Sequence, residues 1–168
     1  MMRALLAAAL VLPPVALAGA IAANEAEMAG ASEWRIPITG YDPRDLVRGR
    51  YVQFQYDWTL EGTPPPRGRE VQLCLTGPAP EGARAELQPI DAPCEYAVHD
   101  ELLTMLWQAE RGDPSQLRGE IYVAEAEAPR LERQLRERPM VVVAKLTDGG
   151  RLVPLRLEPA TNRGERDR

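Results

Sequence analysis

Reactive side chains are scarce in this sequence. It holds one histidine, His99, one lysine, Lys145, two serines, Ser32 and Ser115, and two cysteines, Cys74 and Cys94. A Ser–His–Asp site would need distant segments to converge on that small inventory, and neither serine sits in a G-x-S-x-G turn. His99 stands beside Asp100 and Glu101 in a polar stretch and reads as a solvated loop residue. No His/Cys cluster has metal-ligand spacing, and nothing in the carboxylate spacing marks a calcium site. No glycine-rich loop precedes a helix, so a phosphate cradle is not expected either. The sequence points to no enzyme, no metal and no cofactor. Basic residues are spread along a chain of net charge −5, which argues against a nucleic-acid surface.

One long apolar run is present, at the start. Arg3 is the only charged side chain before the run Ala4–Ala23, and Glu25, Glu27 and Glu33 follow it, with no further basic residue until Arg35. That asymmetry keeps the N-terminus in the cytoplasm and sends the rest across the membrane. Residues 1–23 therefore read as a signal peptide or an N-terminal membrane anchor. The run approaches the ~20 residues that a spanning helix needs. Pro13-Pro14 interrupts it, however, and Ala16-Leu17-Ala18 and Ala18-Gly19-Ala20 resemble cleavage sites, so both fates stay open. In an exported chain an even pair of cysteines suggests a disulfide between Cys74 and Cys94. Cys74 is expected on the polar face of a strand.

What remains is one domain, residues 24–160, with a polar, disordered tail at 161–168. The stretch Tyr41–Trp58 organises it. Asp42-Pro43 is a turn and Gly49 breaks the chain before a strand. From there Val52, Phe54, Tyr56 and Trp58 alternate with Tyr51, Gln53, Gln55 and Asp57, the pattern of a half-buried strand with an aromatic core face. Trp34–Ile38 also alternates, but Pro37 would confine it to a sheet edge or end. Glu70–Thr76 and Ala83–Ile90 are further strands, residues 91–101 a loop, Leu102–Trp107 a strand or short helix, and Glu120–Ala124 a short strand. Pro129–Arg138 is the clearest helix, opened by proline and closed by Pro139. Met140–Leu146 and Leu152–Leu157 flank Thr147-Asp148-Gly149-Gly150-Arg151, a hairpin signal. The expected class is α+β, mostly β: a twisted antiparallel sheet, with barrel-like closure left open, and one main helix near 129–138.

Gly49-Arg50-Tyr51-Val52-Gln53-Phe54-Gln55-Tyr56 resembles the signature of the GDYXXLXY family, small bacterial membrane-anchored proteins. Asp42-Pro43-Arg44-Asp45-Leu46 resembles the run that precedes it. Arg50 stands where the family has an acid, and Phe54 where it has leucine. The resemblance spans roughly residues 24–158 and implies a scaffold motif of Asp42, Pro43, Gly49, Phe54 and Tyr56. It implies no activity. What it does imply is an accessory domain at the outer, periplasmic face of the cytoplasmic membrane, beside a multi-pass membrane protein as partner. A soluble periplasmic ligand-binding or sensor module is the alternative. Membrane association would run through the N-terminal segment where it is not cleaved. The candidate contact face is Tyr51, Gln53 and Gln55, opposite the core, although Tyr51 packed beneath the helix or the Pro64–Pro66 loop is the competing reading. A fainter likeness of Pro43, Leu46 and Gly49 to the start of signal-peptidase-like serine proteases fails at Gly40. The nucleophilic serine would lie there, and without it Lys145 has nothing to activate.

Overall fold

The computed structural model describes residues 2–40, 51–82, 84–108, 117–124 and 126–160. It divides into two compact units, residues 1–31 and residues 32–168. The first is one helix, α1 (Met2–Gly30), with Pro13 and Pro14 inside it. No helix among the described residues is long and apolar enough to cross a membrane.

The second unit is mostly β, as the alternating segments lead one to expect. Its strands are β1 (Ser32–Gly40), β2 (Tyr51–Tyr56), β3 (Thr59–Glu61), β4 (Val71–Leu75), β5 (Arg84–Pro89), β6 (Ala97–Val98), β7 (Arg118–Tyr122), β8 (Met140–Leu146) and β9 (Leu152–Pro159). Among the described residues two helices join them, α2 (Glu101–Gln108) and α3 (Ala128–Glu137). The strands form two sheets, a five-stranded one ordered β7-β2-β1-β8-β9 and a four-stranded one ordered β3-β5-β4-β6. Every pairing in the larger sheet is antiparallel. Its edge strands β7 and β9 therefore run in the same direction.

A single core lies between the sheets. Trp34 and Ile36 of β1, Phe54 of β2, Leu73 of β4, Leu103 of α2 and Val142 of β8 are all fully buried in it. Burying each large apolar side chain stabilises by roughly 1.5–3 kcal/mol, so this cluster is a principal stabilising feature of the fold. Leu131 and Leu135 share a face of α3 four residues apart and pack against the same cluster. Pro129 lies in the first turn of α3, where its missing N–H costs nothing.

β1 is the middle strand of the larger sheet, not an edge, and Pro37 explains how. Its carbonyl accepts from the Asp57 N–H at 2.9 Å, so its nitrogen faces the same side, just past the end of β2. Beyond that point Pro80 and Gly82 take over, bonding the Arg35 N–H and carbonyl at 2.6 and 3.2 Å. Proline thus sits where the neighbour changes, and the ladder to β8 stays complete from Ser32 to Ile38. The outer face of β8 is buried too. Val143 is fully buried, with Arg35 and Arg156 as its register neighbours on either side, and ion pairs of 2.7 and 3.5 Å tie those arginines to Glu158 and Glu33.

Candidate functional site

The signature strand behaves as its alternation demands. Val52, Phe54, Tyr56 and Trp58 are buried, while Gln53 and Asp57 are exposed. Phe54 meets Tyr56 edge-on with ring centroids 5.3 Å apart, and Tyr56 stacks on Trp58 at 4.5 Å. Gly119 of β7 lies directly across from Phe54 in the register. A Cβ at Gly119 would come within 2.6 Å of the Phe54 ring and 2.9 Å of the Tyr56 hydroxyl. Glycine is needed there for space. Its role is invisible to alternation, although a glycine within a strand is itself a signal of close approach.

On the opposite face, Gln53 pairs with Glu120 and Gln55 with Arg118 across the β2–β7 ladder, and Tyr51 with Tyr122. Gln53 is exposed and Gln55 half-buried, and Tyr122 is 75% exposed, unusual for so large a ring. The side chain of Tyr51 lies outside the described residues, as do Asp42, Pro43 and Gly49.

Tyr56 also reaches a second feature that alternation does not foretell. A cleft of about 230 Å³ opens where β7 and β9, the two edges of the larger sheet, come near each other. Gly119 lines it from β7 and Leu117 from just before that strand, and Leu152 and Pro154 from β9. Tyr56 and Val98 also line it, and His99, Asp100, Arg118, Glu120 and Arg151 supply polar lining. Burial, and secondarily the negative charge of Asp100, push the Tyr56 phenol far above its ordinary range. It is therefore a neutral hydroxyl at any physiological pH, able to donate as well as accept.

His99 is fixed by its surroundings. Its Nε2 lies 2.9 Å from Oε1 of the buried Gln72, whose Nε2 donates to the Ala92 carbonyl at 2.7 Å. With the amide so oriented, Oε1 accepts and His99 Nε2 carries the proton. The His99 N–H donates to the Gly150 carbonyl at 2.8 Å, and a Cβ at Gly150 would come within 2.7 Å of the imidazole. Gly150, at φ +81°, thus serves both the β8–β9 turn and the close approach of the ring. A disulfide joins Cys74 to Cys94, with Cα atoms 5.8 Å apart. Cys74 is buried, not on a polar face as the sequence suggests, because the segment carrying Ala92 and Cys94 covers that side of β4. The stretch read as loop between 91 and 101 therefore contains β6, paired to β4 at Val98 and Ala97.

The remaining reactive side chains are dispersed. The Ser32 hydroxyl accepts from Trp34 Nε1 at 2.9 Å and donates to the Leu146 carbonyl at 3.4 Å, a strand-end role. Lys145 is half-buried on β8 opposite Glu33, and Ser115 lies outside the described residues. Among the described residues no group of three His, Cys, Asp or Glu side chains could hold a metal ion.

The family described as GDYXXLXY protein has a model that matches residues 14–157 of this chain. No curated protein and no solved structure matches it.

Proposed function

The chain belongs to the GDYXXLXY family, whose model covers most of its length, and we propose that it is a non-catalytic accessory domain that docks on a multi-pass membrane protein. It acts on the periplasmic side of the cytoplasmic membrane, and the N-terminal segment with Arg3 ahead of its apolar run directs its export. The Cys74–Cys94 disulfide supports an oxidising compartment.

The observation that carries the docking role is the outer face of β2 and β7. There Gln53, Gln55, Arg118 and Glu120 share a face of the ladder with Tyr122, an aromatic ring three-quarters exposed at a sheet edge. Tyrosine and arginine are residue types that interfaces favour, since tyrosine offers rigid area at low entropic cost. The test is a photoreactive residue at Gln53, in membranes. An adduct with an integral membrane protein is expected from position 53 and not from the exposed loop position Glu70. Equal adducts from both positions, or none from 53, would refute it.

A second reading, a periplasmic ligand-binding module, is favoured by one observation, the cleft lined by Tyr56. Mouths of β-barrels and similar concavities are common ligand sites.

A further inference from the structure

We propose that the segment Gly62–Arg69, between β3 and β4, is a hinged strap that opens and closes over the indole of Trp107 in α2.

The strap is anchored at both ends. At one end the Glu61 carboxylate accepts from the Thr76 hydroxyl at 3.2 Å and pairs with Arg84 at 3.5 Å. At the other the Ile90 N–H donates to the Glu70 carbonyl at 3.1 Å. Among the described residues no backbone–backbone hydrogen bond reaches Thr63–Pro66, and Pro64, Pro65 and Pro66 have no N–H to offer. Backbone without such bonds opens at low cost. Gly62 and Gly68 adopt φ of +77° and +91°, a region that glycine reaches freely. The three prolines stiffen the piece between them, so motion concentrates at the two glycines.

Arg67 closes the strap. Its guanidinium stands 5.2 Å from the centroid of the Trp107 ring, a cation–π contact. Arg67 is exposed, and at an exposed site that attraction is weak. Closure is also opposed. Trp107 is only 8% exposed, and its Nε1 is buried with no hydrogen-bond partner. A buried donor without an acceptor is unfavourable by an amount comparable to the contact that covers it, and water satisfies it once the strap lifts. The two states are therefore close in free energy. The open one offers an aromatic face and an N–H donor near the C-terminal end of α2.

The experiment uses the isotope-labelled full chain and follows hydrogen–deuterium exchange of the indole N–H groups, with Trp58→Phe and Trp107→Phe assigning the signals. Trp58 is the internal control, since its Nε1 is likewise buried without a partner while Arg67 stacks on Trp107. Trp107 should exchange about tenfold faster than Trp58, or more. Arg67→Ala should speed Trp107 by about tenfold again, with Trp58 and the melting temperature nearly unchanged. Arg67→Lys, which keeps the cation, should fall between wild type and Arg67→Ala. Equal rates at Trp107 and Trp58 in the wild type would overturn the strap. So would a Trp107 rate that ignores Arg67→Ala, or one that rises together with that of Trp58, which marks general loosening of the core.

Discussion

Gly119→Ala should destabilise the domain, and Phe54→Leu should rescue it. The added methyl would sit 2.6 Å from two ring carbons of a fully buried phenylalanine and 2.9 Å from the Tyr56 hydroxyl. The Phe54 ring has nowhere simple to go, because Tyr56 meets it edge-on at 5.3 Å and is itself stacked on Trp58. Overpacking of this kind costs ~1–3 kcal/mol. Replacing glycine by alanine returns ~0.4–1 kcal/mol through the unfolded chain. The clash wins, leaving a net loss of roughly 0.5–2 kcal/mol. For a chain of this size that lowers the melting temperature by ~1–8 °C. Phe54→Leu, the residue of the family signature, should cost ~1–2 kcal/mol alone, less than the ~3–5 kcal/mol of emptying the site with alanine. Leucine lacks the ring edge that the new methyl meets. The double variant should therefore be more stable than the sum of the singles predicts, with a coupling of ~0.5–3 kcal/mol. Urea unfolding of the four proteins gives that coupling. A Gly119→Ala protein as stable as wild type, or strict additivity in the double variant, would refute the size match between Phe54 and Gly119.

Three further outcomes are expected. Both cysteines should resist alkylation in denaturant until reduced, and reduction should cost ~3 kcal/mol for a loop of separation 20; labelling without reduction would disprove the bridge. Tyr56 has a folded-state pKa raised above that of the unfolded chain, so its contribution is complete below ~pH 10 and is lost as pH rises beyond it. Alkaline unfolding followed by fluorescence should then begin near pH 10 and be less steep in Tyr56→Phe. A reporter active only outside the cytoplasm, fused after Arg168, should be active, and a stable but silent fusion would overturn the export read from Arg3 and the acidic residues after it.

Local pattern reached some of this molecule and stopped at definable places. The faces of β2 follow from period-two alternation, and α3 from Pro129, the Leu131–Leu135 pair and Pro139. The β8–β9 hairpin follows from a Gly-rich turn in which Gly150 does adopt positive φ. The central place of β1 was hidden because Pro37 is compatible with a middle strand only where the neighbour on one side changes, a fact of long-range pairing. The alternation of β4 puts Cys74 on a polar face, yet the cover on that face comes from residues twenty positions away. The cleft was the least legible feature. It is made by edges of one sheet, β7 and β9, about thirty residues apart in sequence, and by His99 and Asp100, exposed loop residues that follow β6, as the polar stretch around His99 suggests. Tyr56 belongs to both stories, since its ring packs in the core and its residue also lines the cleft.

The docking face is the central claim, and Gln53→Arg tests it most directly. Gln53 is exposed, so the substitution should change stability by no more than ~0.5 kcal/mol. Wild-type and variant chains, tagged and expressed at equal levels, would be recovered from detergent-solubilised membranes and their co-purifying integral membrane proteins compared. The account predicts that a multi-pass protein recovered with wild type is largely lost from Gln53→Arg while the melting curves coincide. Equal recovery of that protein with both chains would contradict it.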